Sequence, residues 1–256
     1  MTGRDPRPLR RPKGLQAVLF DMDGLLVDSE PLWFVVEREV AERLGAPWGE
    51  ADQEALIGGS LERTVSYLLA KAGGPANAGG PANAGGPDGV VTAGREDVAR
   101  WLVEGMARLV LARGLPLQPG AARLLAGLAA ADVPCALVTA SSRAIMDAVL
   151  KVTGLSFEVT VCGEDVRRGK PDPEPYLRAA ALLGEAPGEC VVLEDSPRGI
   201  ASAQAAGCPV IAVPSMPLPA GIAGEGDGPG RMVVASLREV DLARLRRVVI
   251  SCADGV

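Results

Sequence analysis

The apolar positions of this chain follow two rhythms. A run of four, Ala17–Phe20, reads as a buried strand that stops at Asp21. Ser29 then stands where a helix is capped, with Pro31 in the first turn, and Leu32, Val36, Val40 and Leu44 recur every fourth residue until Gly45 ends the run. A second helix starts at Ser60 and carries Val65, Leu68 and Leu69 on one side. A third, from about Arg95 to Gly114, sets Val98, Leu102, Met106, Leu109 and Val110 at helical spacing.

From Pro119 the pattern changes. A helix over Ala121–Ala130 leads to a strand at 135–139 and a helix opening at Ser141 or Ser142. A strand near 159–162, a helix near 173–183, the strand Cys190–Glu194, a helix ending at Gly207 and a strand at 209–213 follow, with 232–234 as one more candidate strand. Strands alternating with helices predict parallel pairing with helices on both faces. The expected fold is α/β: a Rossmann-like parallel sheet core formed by residues 15–29 plus 115–256, interrupted by an inserted α-helical cap over residues 30–114. Within that insertion, GGPANAGGPANAGGP (73–87) is a hexapeptide repeated twice and then cut short. It holds too little apolar surface to offset the entropy of ordering, so a flexible insertion over about 73–94 is expected.

Composition narrows the possible partners. The 256 residues are 48% apolar and carry a net charge of −6, which disfavours a nucleic-acid or anionic-membrane surface but leaves room for a local cationic pocket. Five cysteines without regular spacing point to a reducing cytoplasm and not to a disulfide framework. Residues 1–14 are basic and proline-rich without an apolar core behind them, which reads as a disordered tail. No apolar run approaches a membrane span, and a monomer is compatible with all of this. The chain has no histidine, which removes Ser-His-Asp hydrolases, histidine phosphatases and His-ligated zinc enzymes together.

Ligands of an open parallel sheet sit beyond the carboxyl ends of its strands. There the first strand delivers Asp21 and Asp23, the second Thr139, Ala140 and Ser141, the loop after the third Lys170, and the fourth Glu194 and Asp195. Each alone has an ordinary explanation: an Asp-Gly turn, a strand threonine, a loop lysine, a helix cap. Together, four carboxylates at one edge require a cation, and oxygen ligands of this kind suit Mg²⁺. Lys170, Thr139 and free N–H groups at a helix start form a seat for phosphate. The set describes a phosphoryl-transfer site. The C-x5-R spacing of Cys162 and Arg168 imitates a thiol phosphatase, but Glu164 and Asp165 between them would repel phosphate and disfavour a thiolate.

DMDGLLVDSE, LVTASS, GKPDPE and VLEDSPRGIASAQAAG, in this order, resemble the four motifs of the haloacid dehalogenase superfamily, and specifically its phosphatase/β-phosphoglucomutase-like subgroup with a helical cap. The resemblance implies that Asp21 is the nucleophile forming an aspartyl-phosphate, and that Asp23 is the general acid/base, its carbonyl also touching the metal. It implies that Thr139 and the N–H groups of Met22 and Ala140 hold the phosphoryl oxygens, that Lys170 neutralises charge between phosphate and Asp21, and that Asp195 binds Mg²⁺ while Glu194 binds it or orients its waters. The implied substrate is a small phosphate monoester such as a sugar phosphate, with Trp33, Gly59 and Arg63 as candidates to face it. A sugar-phosphate mutase and a non-catalytic phosphate-binding module are the alternatives. Mutases of this subgroup carry a histidine ten residues past the acid/base aspartate, where this chain has Trp33, and a lysine and arginine in the segment that here reads LIGGSLERT, where Ile57 and Leu61 stand. Dehalogenases proper lack the second aspartate.

Overall fold

Six parallel strands organise the protein, with β1 (Ala17–Phe20) near the centre of the order β3-β2-β1-β4-β5-β6. The computed structural model describes residues 14–56, 59–73, 93–215 and 228–253; all of the expected N-terminal tail but Gly14, most of the Gly/Pro/Asn insertion and Ile57 lie outside the described residues. The other strands are β2 (Cys135–Val138), β3 (Val159–Val161), β4 (Cys190–Glu194), β5 (Val210–Ala212) and β6 (Arg231–Val233). The chain builds outward from β1 to β2 and β3, then crosses back to β4 on the other side, so the strand order reverses between β1 and β4. A crevice opens at such a reversal.

Successive strand residues face opposite sides of a sheet. Ala17 and Leu19 accordingly join Ala136, Val138, Val192 and Val210 in one apolar layer with Tyr176, Ala179 and Ile200. These three belong to α7 (Glu174–Leu183) and α8 (Pro197–Ala205), numbered in chain order. Val18 and Phe20 join Leu137, Val191, Leu193 and Ile211 in the other layer. That layer is covered by α5 (Ala121–Ala130), α6 (Arg143–Thr153) and α9 (Leu242–Ala253). Both faces are thus buried, which is why the strands read as unbroken apolar runs.

Between β1 and β2 lie α1 (Glu30–Arg43), α2 (Glu50–Leu56), α3 (Leu61–Lys71) and α4 (Arg95–Arg113). The apolar residues expected on α4, from Val98 to Val110, are all buried. α4 packs on α1, α3 and the core helix α6. Gly105 allows the approach of α1, since a Cβ there would lie 2.9 Å from Val36 Cγ1. The two chain connections joining this block to the sheet run side by side. Val27 bridges Leu117, the Gln118 N–H donates to Leu26 O at 2.8 Å, and Gln118 Nε2 donates to Gly24 O at 3.1 Å.

Two elements lie beyond the apolar patterns read above. α2 is short and is fastened by Asp52, which accepts from Tyr67 Oη at 2.7 Å and the Gly49 N–H at 2.8 Å and pairs with Lys71. α9 buries Leu245, Val248 and Val249. Ser60 caps α3 as expected, accepting from the Arg63 N–H at 3.3 Å. Ser29 occupies the capping position of α1 but makes no side-chain cap bond, because its hydroxyl turns toward Asp23. No helix among the described residues is long and apolar enough to cross a membrane.

Candidate active site

Phe20 and Leu193 are register partners, so the chain leaves β1 and β4 side by side, and the Asp21 N–H donates to Leu193 O at 3.1 Å. Asp21, Glu194 and Asp195 therefore emerge together. One oxygen from each lies within 4.8 Å of the others, and all three residues are buried. Lys170 enters from the loop after β3. Its Nζ donates to Asp21 Oδ1 at 2.6 Å, Glu194 Oε1 at 2.7 Å and Val138 O at 3.0 Å, which engages all three of its protons.

Glu194 is saturated. Oε1 also accepts from Tyr176 Oη at 2.9 Å, while Oε2 accepts from the N–H groups of Asp195 and Ser196 at 2.9 and 3.0 Å and from Ser196 Oγ at 3.1 Å. Burial opposes its charge, but Lys170 and these donors hold its carboxyl below the usual glutamate range. Burial opposes the Lys170 charge too, and Asp21 and Glu194 outweigh it, raising the ammonium's hold on its proton. Burial pushes Asp21 up, against the pull of Lys170 and with the help of Glu194 and Asp195. Burial, then Glu194, push Asp195 up to about 7. Three acids share one ammonium, so the corner carries excess negative charge that a divalent cation would relieve.

The backbone is shaped for this crowding. Gly24 adopts φ +84°, and a Cβ there would lie 2.1 Å from Asp195 Oδ2. Only glycine lets the turn after β1 pass so close to that carboxylate. Asp195 Oδ2 also accepts from Ser215 Oγ at 2.5 Å.

Asp23 turns to a different set of partners. Its Oδ1 accepts from Ser29 Oγ at 2.7 Å, and its Oδ2 accepts from Ser141 Oγ at 2.8 Å and Thr139 Oγ1 at 3.3 Å. Thr139 Oγ1 in turn accepts from the Ser141 N–H at 2.9 Å. The N–H groups of Met22 and Ala140 have no acceptor among the described residues. Both follow strand ends and are available to an oxyanion.

The expected residues thus fall into three groups. Asp21, Lys170, Glu194 and Asp195 converge directly. Met22, Asp23, Thr139 and Ala140 line the same edge, with the Asp23 carboxylate outside the acidic triad. Of the expected substrate-facing residues, Trp33 is half-buried on α1, Gly59 is exposed beside Leu56 O, and Arg63 is engaged, donating through Nη2 to Ala55 O at 2.7 Å. Ser141, expected at this edge without a stated role, joins Asp23, and Ser29, Tyr176, Ser196 and Ser215 complete the site. Cys162 is buried and inert: its thiol donates to Asp165 Oδ2 at 3.2 Å and is pushed up to about 11, by burial first and then by Asp165.

Comparisons with known proteins agree with this geometry. The sequence is 38% identical over 200 residues to hexitol phosphatase A of Escherichia coli (strain K12), covering 76% of this chain and 81% of that protein. It is 33% identical over 197 residues to the phosphorylated carbohydrates phosphatase of Thermotoga maritima, covering 75% and 82%. The crystal structure of CbbY from Rhodobacter sphaeroides in complex with phosphate superposes with a TM-score of 0.73 at 26% identity, covering 90% of this chain and 99% of that one. The family model of the haloacid dehalogenase-like hydrolases matches residues 15–207, and the chain belongs to that family.

Proposed function

We propose that this protein is a Mg²⁺-dependent phosphatase that hydrolyses small phosphate monoesters, sugar or polyol phosphates foremost, through an aspartyl-phosphate on Asp21. The observation that carries this is the Lys170 ammonium, 2.6 Å from Asp21 Oδ1 in the buried corner shared with Asp195. Relatives named for phosphatase activity on hexitols and phosphorylated carbohydrates support the substrate class.

Asp21 attacks phosphorus as the ester oxygen departs with a proton from Asp23, and water activated by Asp23 then cleaves the acyl phosphate and returns Asp21. Lys170 keeps Asp21 oriented and offsets its charge as the phosphoryl group approaches. Thr139 and the N–H groups of Met22 and Ala140 receive the phosphoryl oxygens. Mg²⁺, held by Asp21, Asp195 and the Asp23 carbonyl, with Glu194 ordering its surroundings, would neutralise charge on the transferring group. Glu194 already takes five protein donors, so its part here is to fix Lys170 and the turn at 195–196. The helices over residues 30–114 act as a cap that excludes water during the first step. The same reading is of a cytoplasmic enzyme without a nucleic-acid or membrane partner.

The test is phosphate release from p-nitrophenyl phosphate and a panel of sugar and polyol phosphates, with Mg²⁺ and with chelator. Release that requires Mg²⁺ and falls by about a thousandfold or more in Asp21→Asn is expected. Interconversion of glucose 1-phosphate isomers without release would instead make the enzyme a mutase, and tight binding without turnover would make it a sensor.

A further inference from the structure

Among the described residues, one buried acid is neither used by the reaction nor paired. Glu37, on α1, is 6% exposed, and it makes no hydrogen bond or ion pair with any described residue. Charged groups so placed are ordinarily paired, because burial without a donor is costly. Such an acid is free to accept from, or donate to, a group carried by a ligand.

Its place on the helix indicates where. Ser29, Trp33 and Glu37 are spaced i, i+4, i+8, so they form one ridge along α1. The ridge starts at the chemistry, since Ser29 Oγ donates to Asp23 Oδ1 at 2.7 Å. Asp23 is the residue that meets the leaving-group oxygen, so the remainder of the ester extends away from phosphorus on its side. Along the axis Glu37 lies about 12 Å past Ser29, and side chains on a helix lean back toward the N-terminus, which shortens that gap. Trp33, half-buried, stands between them on that ridge.

We propose that Glu37 determines specificity for the leaving group: its carboxyl hydrogen-bonds a hydroxyl on the carbon chain beyond Asp23 and selects neutral, polyhydroxylated esters over those bearing a second anionic group. This deepens the phosphatase reading and rests on it. Burial, then Glu30 seven residues before it, push the Glu37 carboxyl up to about 7, and both of its forms serve: ionised it accepts from a hydroxyl, protonated it also donates. Of the cations of the helical block, Arg63 donates to Ala55 O, Lys71 pairs with Asp52 and Arg108 with Glu39.

Glu37→Leu and Glu37→Gln test this against wild type with two substrates, sorbitol 6-phosphate and the hydroxyl-free p-nitrophenyl phosphate. In Glu37→Leu, kcat/KM for sorbitol 6-phosphate should fall by about 10- to 100-fold, carried mainly by KM, while p-nitrophenyl phosphate turnover stays within about threefold. Glu37→Gln, which keeps a hydrogen-bonding group, should recover part of the loss. Equal losses on both substrates, or none on sorbitol 6-phosphate, overturn the proposal. Wild type inactive on every ester sinks the phosphatase reading instead; calorimetric binding of sorbitol 6-phosphate to wild type and Glu37→Leu then still decides whether Glu37 grips the hydroxylated chain, equal affinities counting against it.

Discussion

Tyr176 is fully buried beneath the site. Its hydroxyl donates to Glu194 Oε1 at 2.9 Å, and the Lys170 Nζ stands 4.9 Å from the centroid of its ring. Tyr176→Phe keeps the ring under the ammonium and removes one of five donors to Glu194. A charged acceptor deprived of a buried donor loses about 1.5–3 kcal/mol. The expected result is a lower thermal midpoint, with kcat reduced several-fold and KM little changed, since Glu194 orders Lys170 and not the ester; unchanged kcat would show that the hydroxyl is dispensable. At this scale Asp21, Asp23, Lys170, Glu194 and Asp195 were legible in the sequence because, although each alone has an ordinary explanation, all of them follow apolar strands at one edge of a parallel sheet. Tyr176 and Ser29 were not. A tyrosine on a helix face reads as core, and a serine before a helix reads as a cap, which is the role that Ser29 leaves in order to hold Asp23.

Helix α8 begins under the same constraint as the site. Ser196 Oγ accepts from the Gly199 N–H at 3.1 Å and donates to Glu194 Oε2 at 3.1 Å, so one hydroxyl caps the helix and anchors the acid. A Cβ at Gly199 would lie 1.6 Å from Glu194 Oε1. Elsewhere in a helix, glycine to alanine gains about 0.5–1 kcal/mol. Gly127, inside α5, where an added methyl group would meet nothing within 4 Å, should gain this amount on substitution by alanine. Gly199→Ala should lose about 2 kcal/mol or more and most of its activity, because Glu194 cannot retreat without dropping Lys170. Chemical denaturation of the two variants checks the opposite signs. The contrast between α2 and α9 shows what a sequence can reveal about elements. α2 buries only Asp52 and Leu56 and is held by the tertiary bonds of Asp52, so no apolar period announces it. α9 does announce itself, through Leu245, Val248 and Val249 and through Asp241, which accepts from the Arg244 N–H at 2.8 Å, although the pattern read above ends at the strand before it.

Across the whole molecule, two acidic sites tie stability to solution conditions in different ways. Glu37, raised from 4.5 to about 7, binds its proton more tightly folded than unfolded. Protonation therefore favours the fold, and that stability is present below about pH 4.5 and drains away as pH rises through about 7. Glu37→Leu should unfold at a higher temperature than wild type at about pH 8, with the gap narrowing toward about pH 5; a gap independent of pH would rule out this ionisation as the cause. The corner formed by Asp21, Glu194 and Asp195 against Lys170 responds to a cation instead. Their formal charges leave an excess of about two negatives, which matches one divalent ion. A cation bound only by the folded chain adds stability by mass action, about 2.7 kcal/mol at about a hundred times its dissociation constant. For a chain of 256 residues this corresponds to a rise of about 5–10 °C in Tm on adding Mg²⁺, reversed by chelator. Asp195→Asn should lose most of the rise while Glu37→Leu keeps it, because only Asp195 belongs to the cluster. A wild-type Tm indifferent to Mg²⁺ over millimolar concentrations would mean that Lys170 alone satisfies these carboxylates.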